Sequence, residues 1–494
     1  MPVIQSRNNN KNKHTMIQRL YRLLLLFCSI AVFAACSDSD GNDNNGGNGG
    51  EIVPDGGDTY GYVTDANGNP VPGVVVSDGF TCTQTDAEGQ YVLTRNAESG
   101  FVFYSLPSGY KVNMHKTYKL PKFFTKLKPE TARYDFTLTA LDAPETRFDL
   151  ICIGDPQINE ASHAVRFKEE AGREIREYAA SAGVPCYGIT LGDHVNNKWT
   201  LFTNMVVALQ PEQTGVPVFA TIGNHDHEFP TADEKAARAK YESYFGPVDY
   251  SFNRGDVHVV CMDDVIYTSG TEYTNGFTDA QLAWLRADLS FVPKQKMVIL
   301  CYHIPLRSGT ARNMAAVKAL LSEYAEAHLM AAHTHYNENF INTDADGGLY
   351  EHIHGAPCGV FWHSALNGDG TPNGFMVYEI DGMKIVDTYF KASQRPDDHQ
   401  IRLYHGDAVF AGPYATYKYD LGADVVVANV FAAGMDGTTW KVELSEDGGK
   451  TWSDMSPIEQ NYGDRWIRGY HIGVEHHPTE SGTSPCYHQY QYKL

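Results

Sequence analysis

Thr221-Ile222-Gly223-Asn224-His225-Asp226 closes the apolar run that begins at Val216 and sets an amide, an imidazole and a carboxylate side by side. Four other stretches repeat the pattern of a strand-like run followed by metal-ligating side chains. Gly154-Asp155-Pro156-Gln157 follows Phe148-Asp-Leu-Ile-Cys-Ile153, and Gly192-Asp193-His194 follows Tyr187-Gly-Ile-Thr-Leu191. His303 follows Met297-Val-Ile-Leu-Cys-Tyr302, and His333-Thr334-His335 lies further on. Near-continuous apolar runs are strands buried on both faces. The five motifs are therefore expected to converge on one sheet edge as a metal site.

Helical signals alternate with these runs. Phe167, Ala171, Ile175 and Tyr178 mark one face of a helix over 164–180. Thr278-Asp-Ala-Gln281 is a capping box, after which Leu282, Leu285 and Leu289 line one face. Strands alternating with helices over 147–392 predict a layered α/β domain.

The residue types fit one chemistry. Two divalent cations about 3.5–4 Å apart acidify a bridging water, clamp ester oxygens and stabilise both apical oxygens of an in-line displacement at phosphorus. Such a pair needs hard carboxylate oxygens and neutral imidazoles, with one carboxylate shared. Taken singly, Gly-Asp is a common turn and a strand-end histidine is usually only hydrogen-bonded. In this order, each after an apolar strand, the motifs point to a dinuclear site. His333 and His335 are expected on an extended segment, where residues two apart face the same side.

The ordered set Gly154-Asp155-Pro156-Gln157, Gly192-Asp193, Gly223-Asn224-His225-Asp226, His303 and His333-Thr334-His335 resembles the signature of the calcineurin-like metallophosphoesterases. The resemblance implies an α/β/β/α sandwich and hydrolysis of phosphomonoesters or phosphodiesters with a bridging hydroxide as nucleophile. It implies that Asp155 and His335 bind one metal, that Asn224, His303 and His333 bind the other, and that Asp193 bridges. His225 would assist departure of the leaving oxygen. Gln157 stands where many members have His, and its amide oxygen can serve as a weaker ligand to the first metal. The implied cofactors are two divalent ions drawn from Mn, Fe, Zn and Ni. The rival readings are a binding lipoprotein that uses the fold as a scaffold, and a hydrolase acting on a sulfate ester or nucleotide anhydride.

The flanks read as small all-β sandwiches at 58–142 and 395–494. The first, with Gly61-Tyr-Val-Thr-Asp-Ala-Asn-Gly-Asn-Pro-Val-Pro-Gly-Val74, resembles the prealbumin-like modules of secreted bacterial enzymes, which implies a spacer or docking role. Residues 1–35 read as a signal peptide: a basic stretch, the apolar run Leu23–Ala35, then Cys36. That run is too short to span a bilayer. Phe33-Ala34-Ala35-Cys36 resembles a lipobox, so Cys36 is the expected lipid anchor of an exported cell-envelope protein of the outer membrane. Residues 36–57 read as a flexible Asp/Asn/Gly tether.

The formal charge of -21 disfavours polymeric nucleic acid but leaves open a small phosphoester, or a phosphorylated lipid or glycan, held by metal. The cysteines lack a regular disulfide spacing. Weaker candidates are a second metal site at Glu351-His352-Ile353-His354, substrate contacts from Trp362, His363 and Arg307, and a supporting role for Asn196.

Overall fold

Two mixed sheets lie face to face at the centre of the molecule. The first runs in the order Val218–Thr221, Cys186–Leu191, Arg147–Ile153, Gly374–Asp381, Lys384–Ala392. Its first three strands are parallel and its last two antiparallel. The second runs Tyr250–Arg254, Val257–Cys261, Met297–Cys301, Glu326–Ala331, Leu349–Ile353, Glu338–Asn342, with four parallel strands between antiparallel edges. The computed structural model describes residues 3–8 and 53–494, except 231–232, 309, 343–347, 436–438, 459–462 and 476–483. The apolar leader run, Cys36 and most of the tether lie outside the described residues.

Side-chain alternation builds the layers. In Arg147–Ile153, Leu150 and Cys152 enter the core between the sheets, while Ile151 and Ile153 enter the core beneath the helices. The sheets meet where Cys152 Sγ lies 3.4 Å from Met330 Sδ. On the outer face of the first sheet, helices Ala161–Phe167 and Arg173–Ser181 are joined by a π turn, Lys168–Gly172. Ala164, Phe167, Ala171 and Ile175 are buried there. On the second sheet, helix Asp279–Leu289 starts from the expected cap: Gln281 N donates to Thr278 Oγ1 and Thr278 N donates to Gln281 Oε1. It buries Trp284, Leu285 and Leu289. The result is an α/β/β/α sandwich.

The N-terminal module is two sheets, Gln90–Leu93/Thr59–Asp65/Phe136–Leu138 and Cys82–Gln84/Val75–Ser77/Phe101–Tyr104/Phe124–Lys126. Its hydrophobic core is continuous with that of the central sandwich. Trp284 Nε1 donates to Ser77 Oγ at 3.0 Å, and Leu106 bridges to Phe252 on the edge strand. The C-terminal unit centres on Ile401–His405/Val425–Val430/Gln489–Lys493/Ser456–Pro457 and adds a helix, Arg465–Tyr470. There Trp440–Ser445 pairs with Val3–Asn8 and with Ser453–Asp454. The seven described cysteines are free, and no described helix is long and apolar enough to cross a membrane.

Arg254 ties the N-terminal module to the sandwich. Its side chain is fully buried, paired with Glu145 at 2.8 Å, donates to the Tyr110 carbonyl at 2.7 Å and lies over the Tyr187 ring. Removing one partner of such a pair strands the other charge away from water. Arg254→Met is expected to cost about 3–5 kcal/mol in urea unfolding monitored by tryptophan fluorescence. Unchanged unfolding would show that the pair does not hold the module.

Candidate metal centre

The parallel strands of both sheets end together. Thr190 is level with Ile153, Leu191 with Thr221, Cys261 with Cys301, and Cys301 with Met330. Side chains just past these ends share one rim, the usual ligand edge of parallel sheets. Asp155, Asp193 and Asn224 come from the first sheet, and His303, His333 and His335 from the second.

The donor atoms are close. His303 Nε2 is 3.0 Å from Asn224 Oδ1, 3.3 Å from Asp193 Oδ2 and 3.9 Å from Asp155 Oδ1. His333 Nδ1 is 3.0 Å from Asn224 Oδ1 and 3.2 Å from His303 Nε2. One donor atom from each of Asp193, His303 and His333 falls within a 4.8 Å cluster. His335 Nε2 approaches Asp155 Oδ1 at 3.7 Å. Gln157 Nε2 donates to Asp193 Oδ2 at 3.2 Å, while its Oε1 is buried without a partner. His303 Nδ1 donates to the Leu191 carbonyl at 2.8 Å, which fixes the ring and turns Nε2 to the cluster.

Charges crowd this space. Burial pushes the Asp155 carboxyl up to about 7, with Asp193 adding to the shift and His303 opposing it. Burial also works against the charged form of Asp193, but His303 above all holds its carboxyl well below the ordinary range. Burial opposes protonation of His303, yet Asp193 and Asp155 raise it to about 10. Burial and the His303 charge push His333 down to about 3. Burial pushes His335 down to about 4, against the pull of Asp193.

The backbone is shaped for these contacts. A Cβ on Gly223 would lie 2.3 Å from both N and Oδ1 of Asp193, and one on Gly192, at φ +97°, would lie 2.4 Å from His303 Nδ1. Gln157, Asp193, His333 and His335 all have left-handed backbones, with φ between 37° and 65°. This corrects the expectation for His333 and His335. They sit beyond the end of Glu326–Ala331 in an irregular turn, and it is the left-handed φ at each, rather than strand alternation, that aims both rings at the site. Such conformations are uncommon for residues with a Cβ and gather at functional sites.

Buried partners hold the loops. Asp226 accepts from Gly223 N, Val195 N and His194 Nδ1, and His194 also contacts Thr190 Oγ1, so the two loops of the first sheet are bound together. Asp193 Oδ1 accepts from His225 N at 2.8 Å. Asp264, unremarked in the sequence, accepts from His303 N and Ile304 N. Tyr267 donates to the Asn224 carbonyl at 2.9 Å.

His225 stands at the opening, with its side chain 30% exposed and Nε2 4.0 Å from Asp193 Oδ2. Its Nδ1 donates to Asn197 Oδ1 at 2.8 Å. The supporting amide is therefore Asn197, whose left-handed φ of 55° carries it to the imidazole. Asn196, the residue singled out from sequence, instead makes a backbone bond to Ile158.

The other candidates resolve into packing. Glu351 accepts from Tyr302 and Leu306, His352 contacts His328 and Asn339, and His354 contacts the Ala331 carbonyl and Tyr378 of the first sheet. These hydrogen bonds account for the residues without a second metal. Arg307 pairs with Glu338 and stacks on Tyr487. Trp362 is buried, with Nε1 donating to the Pro156 carbonyl at 3.0 Å.

The donor set fits divalent cations: two carboxylates, an amide oxygen with no partner, a second amide oxygen and three imidazoles, at the edge of an α/β/β/α sandwich. Comparison with known proteins places this class of fold. Family profiles match over residues 149–337 (calcineurin-like phosphoesterase), 58–141 (N terminal of calcineurin-like phosphoesterase) and 351–494 (C terminal of calcineurin-like phosphoesterase). The chain belongs to the calcineurin-like phosphoesterase family.

Among solved structures it is similar to a purple acid phosphatase from yellow lupin (Lupinus luteus) seeds, at 13% identity and TM-score 0.33 over 63% of this chain and 53% of that one. It thus spans about half the length of that phosphatase. It is also similar to PhoD, at 9% identity and TM-score 0.34 over 79% of this chain and 87% of that one. A 5'-nucleotidase from Candida albicans matches at 10% identity and TM-score 0.33 over 49% and 50% of the two chains. No curated protein matches the chain in sequence.

Metal uptake must expel protons. Without metal His303 is protonated below about 10, and a ligating imidazole must be neutral. Apparent affinity for Mn²⁺ is expected to rise about tenfold per pH unit between pH 7 and 9. It should fall more steeply below pH 7, where Asp155, raised to about 7, must also lose a proton. Chelator competition across pH measures this, and a flat profile would contradict it.

Proposed function

We propose that the chain is a metal-dependent phosphoester hydrolase with a dinuclear centre. Asp155, Gln157 and His335 would hold one divalent ion, Asn224, His303 and His333 the other, and Asp193 would be shared. The observation that carries this reading is the convergence of Asp193, His303 and His333 donor atoms within 4.8 Å. Bound cations supply water activation and neutralise charge on the ester oxygens.

The chain's own groups do the rest. His303 is held by the Leu191 carbonyl with Nε2 inward, so little reorganisation is needed on ligation. His225 donates through Nδ1 to Asn197 and, as imidazolium, would present Nε2–H at the opening, where it can protonate the departing oxygen. The substrate proposed is a small phosphoester, or a phosphorylated lipid or glycan met by an exported chain anchored through Cys36.

The test is hydrolysis of bis-p-nitrophenyl phosphate and p-nitrophenyl phosphate by Mn²⁺-loaded chain. Turnover is expected, with Asp193→Asn reduced to the uncatalysed rate. His225→Gln should lower kcat by roughly 10²–10⁴-fold with KM little changed. No turnover on either ester, or equal rates in the Asp193→Asn variant, would overturn the reading.

A further inference from the structure

Two exposed aromatic rings lie to either side of the centre, Phe361 and Tyr273. Phe361 is 44% exposed, and its ring lies 5.0 Å from that of His335. Its loop is locked in an uncommon shape, with φ of 56°, 44° and 70° at Gly359, Phe361 and Trp362. Bulky side chains rarely adopt left-handed backbone, and here two do so in succession.

The inner half of the loop is anchored. Trp362 is buried, bonds the Pro156 carbonyl and stacks 5.5 Å from His163, while Arg166 donates to the Trp362 carbonyl at 2.6 Å. Burying Trp362 in this way turns Phe361 outward against a metal-ligand candidate. At the other end, Tyr273 is 36% exposed on the hairpin Val265–Ser269/Glu272–Asn275. Its ring lies 5.7 Å from that of Tyr267, which bonds the Asn224 carbonyl.

A scattered exposed aromatic needs no explanation. One held by a strained loop against a metal-ligand candidate does. We propose that Phe361 is a specificity-determining residue that selects phosphoesters carrying an aromatic ring, which packs on its face while the phosphoryl group sits at the centre. The inference rests on the phosphoester reading and names its substrate class.

The test uses full-length, Mn²⁺-loaded chain and two non-hydrolysable probes, phenylphosphonate and methylphosphonate, titrated by calorimetry. Hydrolysis of an aryl and an alkyl phosphoester with leaving groups of matched acidity is followed in parallel. Phenylphosphonate is expected to bind roughly 3- to 10-fold more tightly than methylphosphonate. Phe361→Ala should erase most of that preference while leaving methylphosphonate binding unchanged, and Tyr273→Ala, at the other end, should leave it in place. Phe361→Tyr, which keeps the ring, should restore it and separates a contact from a folding defect. Equal binding of the two probes, no binding of either, or equal weakening of both in Phe361→Ala would overturn the proposal. Failure to hydrolyse either ester while the phenyl preference persists would sink the hydrolase reading and still support aromatic selection.

Discussion

Asp155 and Asp193 are two carboxylates buried at one end of a β-sandwich, both close to one nitrogen of a single imidazole. His303 Nε2 lies 3.9 Å from one and 3.3 Å from the other. Two negative charges out of water cannot coexist without a compensating cation. In the metal-free chain His303 takes that part, raised to about 10, while Asp155 is raised to about 7. The neighbouring histidines are pushed the other way by burial and by the His303 charge. The cluster is built for positive charge to enter, and the rest of the domain keeps it from relaxing.

That constraint accounts for features which look unrelated in the sequence. Gly192 and Gly223 leave room for loops of the first sheet to touch each other and His303. Asp226 and His194, buried and away from the donor cluster, bind the same loops together. Asp264 positions the His303 backbone from the loop that follows the neighbouring strand Val257–Cys261. A buried hydrogen-bonded network of this kind is rigid and specific, which suits ligands that must hold their geometry before any ion arrives.

Much of this was legible in the chain. Apolar runs ending in Gly-Asp, Gly-Asn-His-Asp or a histidine identify strands and what they deliver, because a doubly covered parallel strand is apolar throughout and turns polar only at its end. The capping box at Thr278 and the 167/171/175 face are local rules that the fold obeys. What was not legible depends on backbone torsion or distant contact. The left-handed φ at His333 and His335 has no sequence signal, so strand alternation was the natural but mistaken reason for their shared direction. Asn196 and Asn197 differ only in torsion. Glu351, His352 and His354 imitate a ligand motif until their hydrogen-bond partners, more than ten residues away, are seen. The joining of the N-terminal module through Arg254 and Glu145 likewise depends on residues 109 apart.

The claim that this buried carboxylate pair exists to hold cations is tested most directly by elemental analysis of the purified chain after equilibration with divalent metal and removal of the excess. The account predicts two ions per chain. Less than one ion per chain at saturating metal, with the fold intact by circular dichroism, would contradict it.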